Sequence, residues 1–203
     1  MRHRVVCATF LVWLGFAIVA PAGRASPQTT KGTSPKASAA PGADAAALNR
    51  FSESVANYVA LRKKISAEIP PIQVTPRASE ITAASDALAR AVERARPNAR
   101  QGNFFTPEIA GAFRRSLELA LRQTDRAALL ALINEEPGAL KRPTVHMRFP
   151  AGDLLATTPT ALLQALPPLP KELEYRFVGR VLILRDIDAA LVLDYISPAL
   201  PAQ

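Results

Sequence analysis

The chain has 203 residues, 49% of them hydrophobic and 21% charged, with a mean hydropathy of +0.08, so it holds enough apolar material for a core and wholesale disorder is excluded. One Cys excludes a disulfide framework and any multi-Cys zinc or iron–sulfur site. Two His exclude a His-cluster metal site unless carboxylates do most of the ligation, and 25 basic against 17 acidic residues give a net charge of +8.

Residues 1–25 read as a secretory signal. Arg2 and Arg4 form a basic start, Val5–Ala20 is an almost unbroken apolar run, and Ala20-Pro21-Ala22 and Gly23-Arg24-Ala25 supply small residues for cleavage. The run is shorter than the ~20 residues that comfortably span a bilayer, which favours a cleaved signal over a retained anchor. Cysteine at position 7 opens the run instead of closing it, so a lipoprotein is not expected. Cleavage between Ala25 and Ser26 removes three of the 25 basic residues (Arg2, Arg4, Arg24) and no acid, leaving 22 against 17, net +5. It also removes Cys7, Trp13 and His3. The expected mature chain is cysteine-free, which excludes thiol catalysis and suits an oxidising compartment, with no integral membrane span left.

Residues 26–43 carry no aromatic and no branched aliphatic side chain, so the segment has nothing to bury and reads as a disordered linker. From Asp44 to Ile69, Leu48, Phe51, Val55, Tyr58, Val59, Ile65 and Ile69 recur at steps of three and four, predicting a helix with Asp44 as N-cap and Pro70-Pro71 as stop. Arg62-Lys63-Lys64 is expected to be a solvated last turn, with an anion contact as the functional alternative.

Thr75-Pro76, Thr106-Pro107 and Thr158-Pro159 each pair a capping hydroxyl with a proline at the first helical position. The first predicts a helix to about Arg96 with Ile81, Leu88 and Val92 on one face. The second predicts a helix to about Arg122 with Ile109, Phe113, Leu117 and Leu121 inward. Thr124 or Asp125 should cap a short helix through Leu129, Leu130, Leu132 and Ile133, stopped by Pro137-Gly138. Thr158-Pro159 should open a two-turn segment over residues 160–166.

The last third changes period. Thr144–Phe149 alternates apolar and polar residues, as does Leu173–Phe177; Val181–Arg185 and Leu191–Tyr195 read as two further strands, with turns at Val178-Gly179-Arg180 and Asp186–Asp188. The expectation is a three-stranded antiparallel meander with Val145–Phe149 as a candidate fourth strand. Tyr175 and Phe177 should face helix residues such as Phe113 and Leu117. Pro167-Pro168-Leu169-Pro170 should be extended. The fold class is α+β: a helical region over 44–142 packed on a small antiparallel sheet over 143–203.

Within Leu166–Pro198 the pieces Leu169-Pro170, Leu173-Glu174-Tyr175-Arg176-Phe177-Val178-Gly179-Arg180, Leu182-Ile183-Leu184-Arg185-Asp186 and Asp194-Tyr195-Ile196 resemble the C-terminal end of a family of small exported bacterial proteins. Phe104-Phe105-Thr106-Pro107 fits a second family segment more loosely. That family implies export and no particular activity. The same tail is more weakly similar to the closing strands of periplasmic regulators of nickel and cobalt efflux. It lacks their His-rich stretches, and Ala189-Ala190 stands where a turn Gly or Asn would be expected.

Few residues offer chemistry. His146, the sole imidazole of the mature chain, is expected on the polar face of a strand, with no orienting carboxylate or nucleophile at a telling spacing. Asp186, Asp188 and Asp194 form the densest carboxylate group and are the only metal candidates, although Asp is also an ordinary turn residue. Glu135-Glu136 reads as a helix end, not a glycosidase pair. No nucleophile elbow, phosphate loop or dinucleotide glycine pattern is present. Nine Arg against six acids over 75–126 concentrate positive charge on the helices, whereas 135–203 carries seven basic and eight acidic residues. Such arginines suit an anionic envelope component or an acidic partner. Nucleic acid is not expected, given export and few exposed aromatics. The sequence therefore predicts a periplasmic or secreted, non-enzymatic protein that takes no cofactor and binds an envelope partner or scaffolds. The alternative is a metal- or ligand-sensing accessory protein.

Overall fold

The computed structural model describes residues 41–69, 76–134, 142–149 and 158–202. The signal segment with its Ala25/Ser26 junction, the linker up to residue 40, Pro70-Pro71, Thr75, Glu135-Glu136 and Pro137-Gly138 lie outside the described residues. Helices α1 (Pro41–Glu68), α2 (Ala78–Ala95), α3 (Pro107–Arg122), α4 (Arg126–Asn134) and α5 (Thr160–Gln164) precede strands β1 (Leu173–Val178), β2 (Val181–Asp186) and β3 (Leu191–Ile196). The strands form one antiparallel sheet in the order β1-β2-β3. The fold is α+β, with the meander at the C-terminus.

Apolar periodicity locates the core. Phe51, Val55 and Tyr58 of α1 and Ile109, Phe113, Leu117 and Leu121 of α3 are all buried, and Leu173, Tyr175, Phe177, Leu182, Leu184 and Leu191 meet them from one sheet face. Aromatic rings join the layers. Phe51 stacks on Phe105 at 5.4 Å between centroids and takes Phe113 edge-on at 4.9 Å, and Phe113 meets Tyr175 edge-on at 5.9 Å. Tyr175 thus faces α3 as its alternation predicts, and Phe177 is buried on the same side.

The helix starts are less uniform than the Thr-Pro pattern predicts. At α3, Thr106 Oγ1 accepts the Ile109 N–H at 3.4 Å behind Pro107. At α4, Asp125 Oδ1 accepts the Ala128 N–H at 3.1 Å, while the Thr124 hydroxyl donates back to the Ala120 carbonyl. By contrast α2 begins at Ala78 behind Arg77, with no side-chain cap and with Pro76 outside the helix. The Thr158 hydroxyl donates to the Tyr175 carbonyl at 3.3 Å, so it ties α5 to the sheet and caps nothing; Pro159 is the N-cap. Asp44 is not an N-cap either: α1 starts at Pro41, and Asp44 in its first turn is drawn to Arg115 of α3, whose Nε–H it accepts at 2.7 Å. Ile81 sits at the start of α2 beyond the core edge and is 47% exposed, while Leu88 and Val92 of the same helix are buried.

All three meander strands form where they are expected; only β1 alternates, and β2 and β3 are buried on both faces along most of their length. Gly179 at the first turn has φ +52°, and Ala190 at the second adopts φ +45° despite its Cβ. The candidate fourth strand is not one. Val145 and His146 form a turn, His146 has φ +67°, and only an isolated bridge joins Arg148 to Leu191. The segment still follows the β3 edge: His146 N–H donates to the Val192 carbonyl, Val192 N–H to Met147, and Phe149 N–H to Ala190. Left-handed backbone at His146 turns the segment out of register, so no continuous ladder forms.

Candidate functional site

Polar side chains gather where α1 and α2 meet the ends of β2 and β3. Asp186 closes β2 and is fully buried. Its Oδ2 accepts the Tyr58 hydroxyl and the Arg62 Nε–H, each at 2.7 Å, and its Oδ1 accepts the Ala189 N–H at 2.9 Å. Arg62 reaches on to Asp188 at 2.5 Å. Burial and the Asp186 charge push the Tyr58 hydroxyl far above its ordinary range. Burial works against the Arg62 cation, but Asp186 and Asp188 outweigh it and hold the guanidinium above its usual value. The basic triplet therefore divides: Arg62 turns inward, and Lys63 and Lys64 are exposed. Tyr58 and Arg62, four residues apart and on one helix stripe with Phe51 and Val55, are legible in the sequence as neighbours of each other but not of Asp186.

Asp194 is also fully buried, in a different setting. Its Oδ2 accepts Phe104 N–H at 2.7 Å and Phe105 N–H at 2.8 Å, and its Oδ1 accepts Gly102 N–H at 3.0 Å and Tyr195 N–H at 2.8 Å. One β3 carboxylate thereby shapes the loop that leads into α3. The left-handed φ of +91° at Gly102 lets that loop turn its amides inward.

The three aspartates do not converge. Asp186 and Asp188 share Arg62, whereas Asp194 is saturated by backbone donors, and among the described residues no group of three His, Cys, Asp or Glu is placed to hold a metal ion. His146, expected on a polar strand face, is half-buried in its turn, and its Nε2 is buried without a partner among the described residues. Burial and then the neighbouring Arg96 charge hold its pKa below the usual value, with Glu93 partly opposing. Arg96, at the C-cap of α2, lies over the rings of Phe104 at 5.0 Å and Tyr58 at 5.6 Å, and its Nη1 is likewise buried without a partner among the described residues. Neither residue stands in a pattern that marks it in the sequence. Chemically, the seam holds carboxylates already committed to structural donors beside a cation and a neutral imidazole.

The arginines separate into two kinds. Arg115, Arg122 and Arg148 pair with Asp44, Glu118 and Asp86. Arg114, Arg180 and Arg126 instead donate to main-chain carbonyls of the closing tail: Pro198 at 2.8 Å, Leu200 at 3.0 Å and Ala202 at 3.2 Å. A carbonyl oxygen is neutral, so each of these bonds occupies a donor without cancelling the charge. Three exposed cations thus line the C-terminal tail. Comparison of the chain with protein-family models, curated proteins and solved structures finds no match. No helix among the described residues is long and apolar enough to cross a membrane.

Proposed function

We propose that this is an exported, periplasmic or secreted protein without catalytic activity, which binds an anionic envelope component through the cationic face at its C-terminal tail. The observation that carries the reading is the carbonyl bonding of Arg114, Arg126 and Arg180, which fixes three guanidinium groups and leaves their charge to the outside. The commitment of Asp186 and Asp194 to structural donors supports a binding role over proton transfer. Export rests on the basic start, apolar run and small-residue junction of residues 1–25, and on the resemblance of the tail to small exported proteins. The metal-sensing alternative draws no support from these carboxylates: Asp186 and Asp188 share Arg62, and Asp194 is taken up by backbone amides.

The test is expression from the native start, osmotic shock, and mass determination. The expected mature N-terminus is Ser26, or Gly23 if the earlier junction is used; a retained Met1 in the membrane fraction overturns export. The purified mature chain should bind vesicles containing anionic lipid and not zwitterionic ones. Replacing Arg114, Arg126 and Arg180 by Gln should abolish that binding, and unchanged binding overturns the proposed face.

A further inference from the structure

The sheet face opposite the main core carries a second charged group, independent of the tail arginines. Glu174, Arg176 and Arg185 lie on it, Glu174 directly across from Arg185 in the β1–β2 register and Arg176 across from Ile183, which belongs to the small cluster with Phe149, Val178 and Val192. Glu174 serves both cations, meeting Arg176 Nη2 at 2.9 Å and Arg185 Nη1 at 2.8 Å. Two guanidinium groups therefore share one carboxylate. The Arg185 side chain is only 5% exposed, and both arginines keep a buried Nε–H with no partner among the described residues. Burial disfavours the Arg185 cation and the like charge of Arg176 adds to it, while Glu174 and, behind it, Asp186 oppose both. Arg176 meets only the carboxylate it shares with Arg185 among the described residues, and its side chain is 29% exposed, so it is the cation of the two that can take a second anion.

A groove of about 420 Å³ opens beside this group, within the size range of small-molecule sites. Leu163, Pro167, Pro168 and Leu169 form its apolar wall, and Glu174 and Arg176 its polar end. The prolines give that wall a backbone with few conformations to lose on binding.

We propose that this groove binds a small organic monocarboxylate with an apolar body, its carboxylate on Arg176 and its hydrocarbon against Leu163, Pro167, Pro168 and Leu169. The forked donors of Arg176 match the two oxygens of that carboxylate. Either a fatty acid or the C-terminal carboxylate of an apolar peptide has this chemistry.

Octanoate and N-acetyl-leucyl-leucine serve as probes, titrated into the isotope-labelled mature chain and followed by amide shifts, with octan-1-ol and octylammonium as controls. Octanoate, the dipeptide or both should shift residues 163–176 with dissociation constants of about 1 mM or tighter, and the tighter of the two identifies the source. The controls should bind at least about tenfold more weakly. Arg176→Met should lose about tenfold or more in affinity, and Leu163→Trp, at an exposed position, should block the groove with Arg176 intact. Octanol binding as well as octanoate, shifts confined to other regions, or no response to either carboxylate overturns the proposal. So does unchanged affinity in a folded Arg176→Met; if that variant does not fold, Leu163→Trp decides, and its unchanged affinity overturns the site.

Discussion

Tyr58 and Asp186, 128 residues apart in the chain, meet as hydroxyl and carboxylate at 2.7 Å, both out of contact with solvent. That bond, with the parallel one from Arg62, fastens the middle of α1 to the end of β2 and fixes the turn that follows. Removing the acceptor strands three donors, one of them charged. Asp186→Ala should therefore cost about 3–5 kcal/mol. Tyr58→Phe, which leaves Asp186 with Arg62 and the Ala189 amide, should cost only about 0.5–1.5 kcal/mol. Urea melts of the two variants give the comparison, and equal losses would mean that the carboxylate is not the hub.

Asp194→Asn should be nearly as damaging despite its matched shape. An amide offers one acceptor oxygen, and its NH₂ would confront the N–H groups that the lost oxygen had served. A loss of about 2–4 kcal/mol is expected, since several charge-assisted bonds weaken together. Hydrogen exchange should localise the effect: the Phe104 and Phe105 amides should lose protection before those of β1.

His146 sets a pH dependence. Burial and Arg96 lower its folded pKa below that of the unfolded imidazole, about 6.5, so the unfolded chain takes up the proton first. The stability contributed by neutral His146 is therefore complete above about pH 6.5 and declines as pH falls through the window below it. His146→Asn, which tolerates a left-handed φ, should flatten the stability profile between about pH 7 and pH 5.5. Arg96→Gln should raise the His146 pKa in an NMR titration; an unmoved value would refute the coupling.

Gly179 and Phe177 separate backbone strain from packing. A Cβ at Gly179 would meet no atom within 4 Å, so its φ of +52° is the sole obstacle to a side chain. Gly179→Ala should cost about 1–2 kcal/mol, and Gly179→Val about 1–3. Phe177, 1% exposed against the main core, should cost about 3–5 kcal/mol when cut to Ala. Thermal or denaturant melts distinguish these ranges, and a tolerant Phe177→Ala would contradict the assigned face.

Local rules alone determined much of this protein. Period-two alternation in Leu173–Phe177 gives the first strand, because one side of it must leave water. Short apolar runs between turn residues give Val181–Asp186 and Leu191–Ile196, which are buried on both faces along most of their length; Gly179 marks the turn between the first two. Steps of three and four place Phe51, Val55, Phe113 and Leu117 inward before any partner is known. Thr106-Pro107 starts a helix because cap and first turn involve only neighbouring residues. Tertiary structure decided the rest. Thr158-Pro159 has the same local chemistry, but a carbonyl of β1 competes for the hydroxyl and takes it. Val145–Phe149 alternates like a strand, yet the turn at His146 and the narrow contact with the β3 edge leave one bridge. The polar seam was least legible. Arg62 and Asp186 stand 124 positions apart, and Asp194 meets amides some 90 positions away. Charge in the sequence states only that partners must be found; which carboxylate meets which donor depends on how whole faces of helix and sheet come together, and no local pattern encodes that.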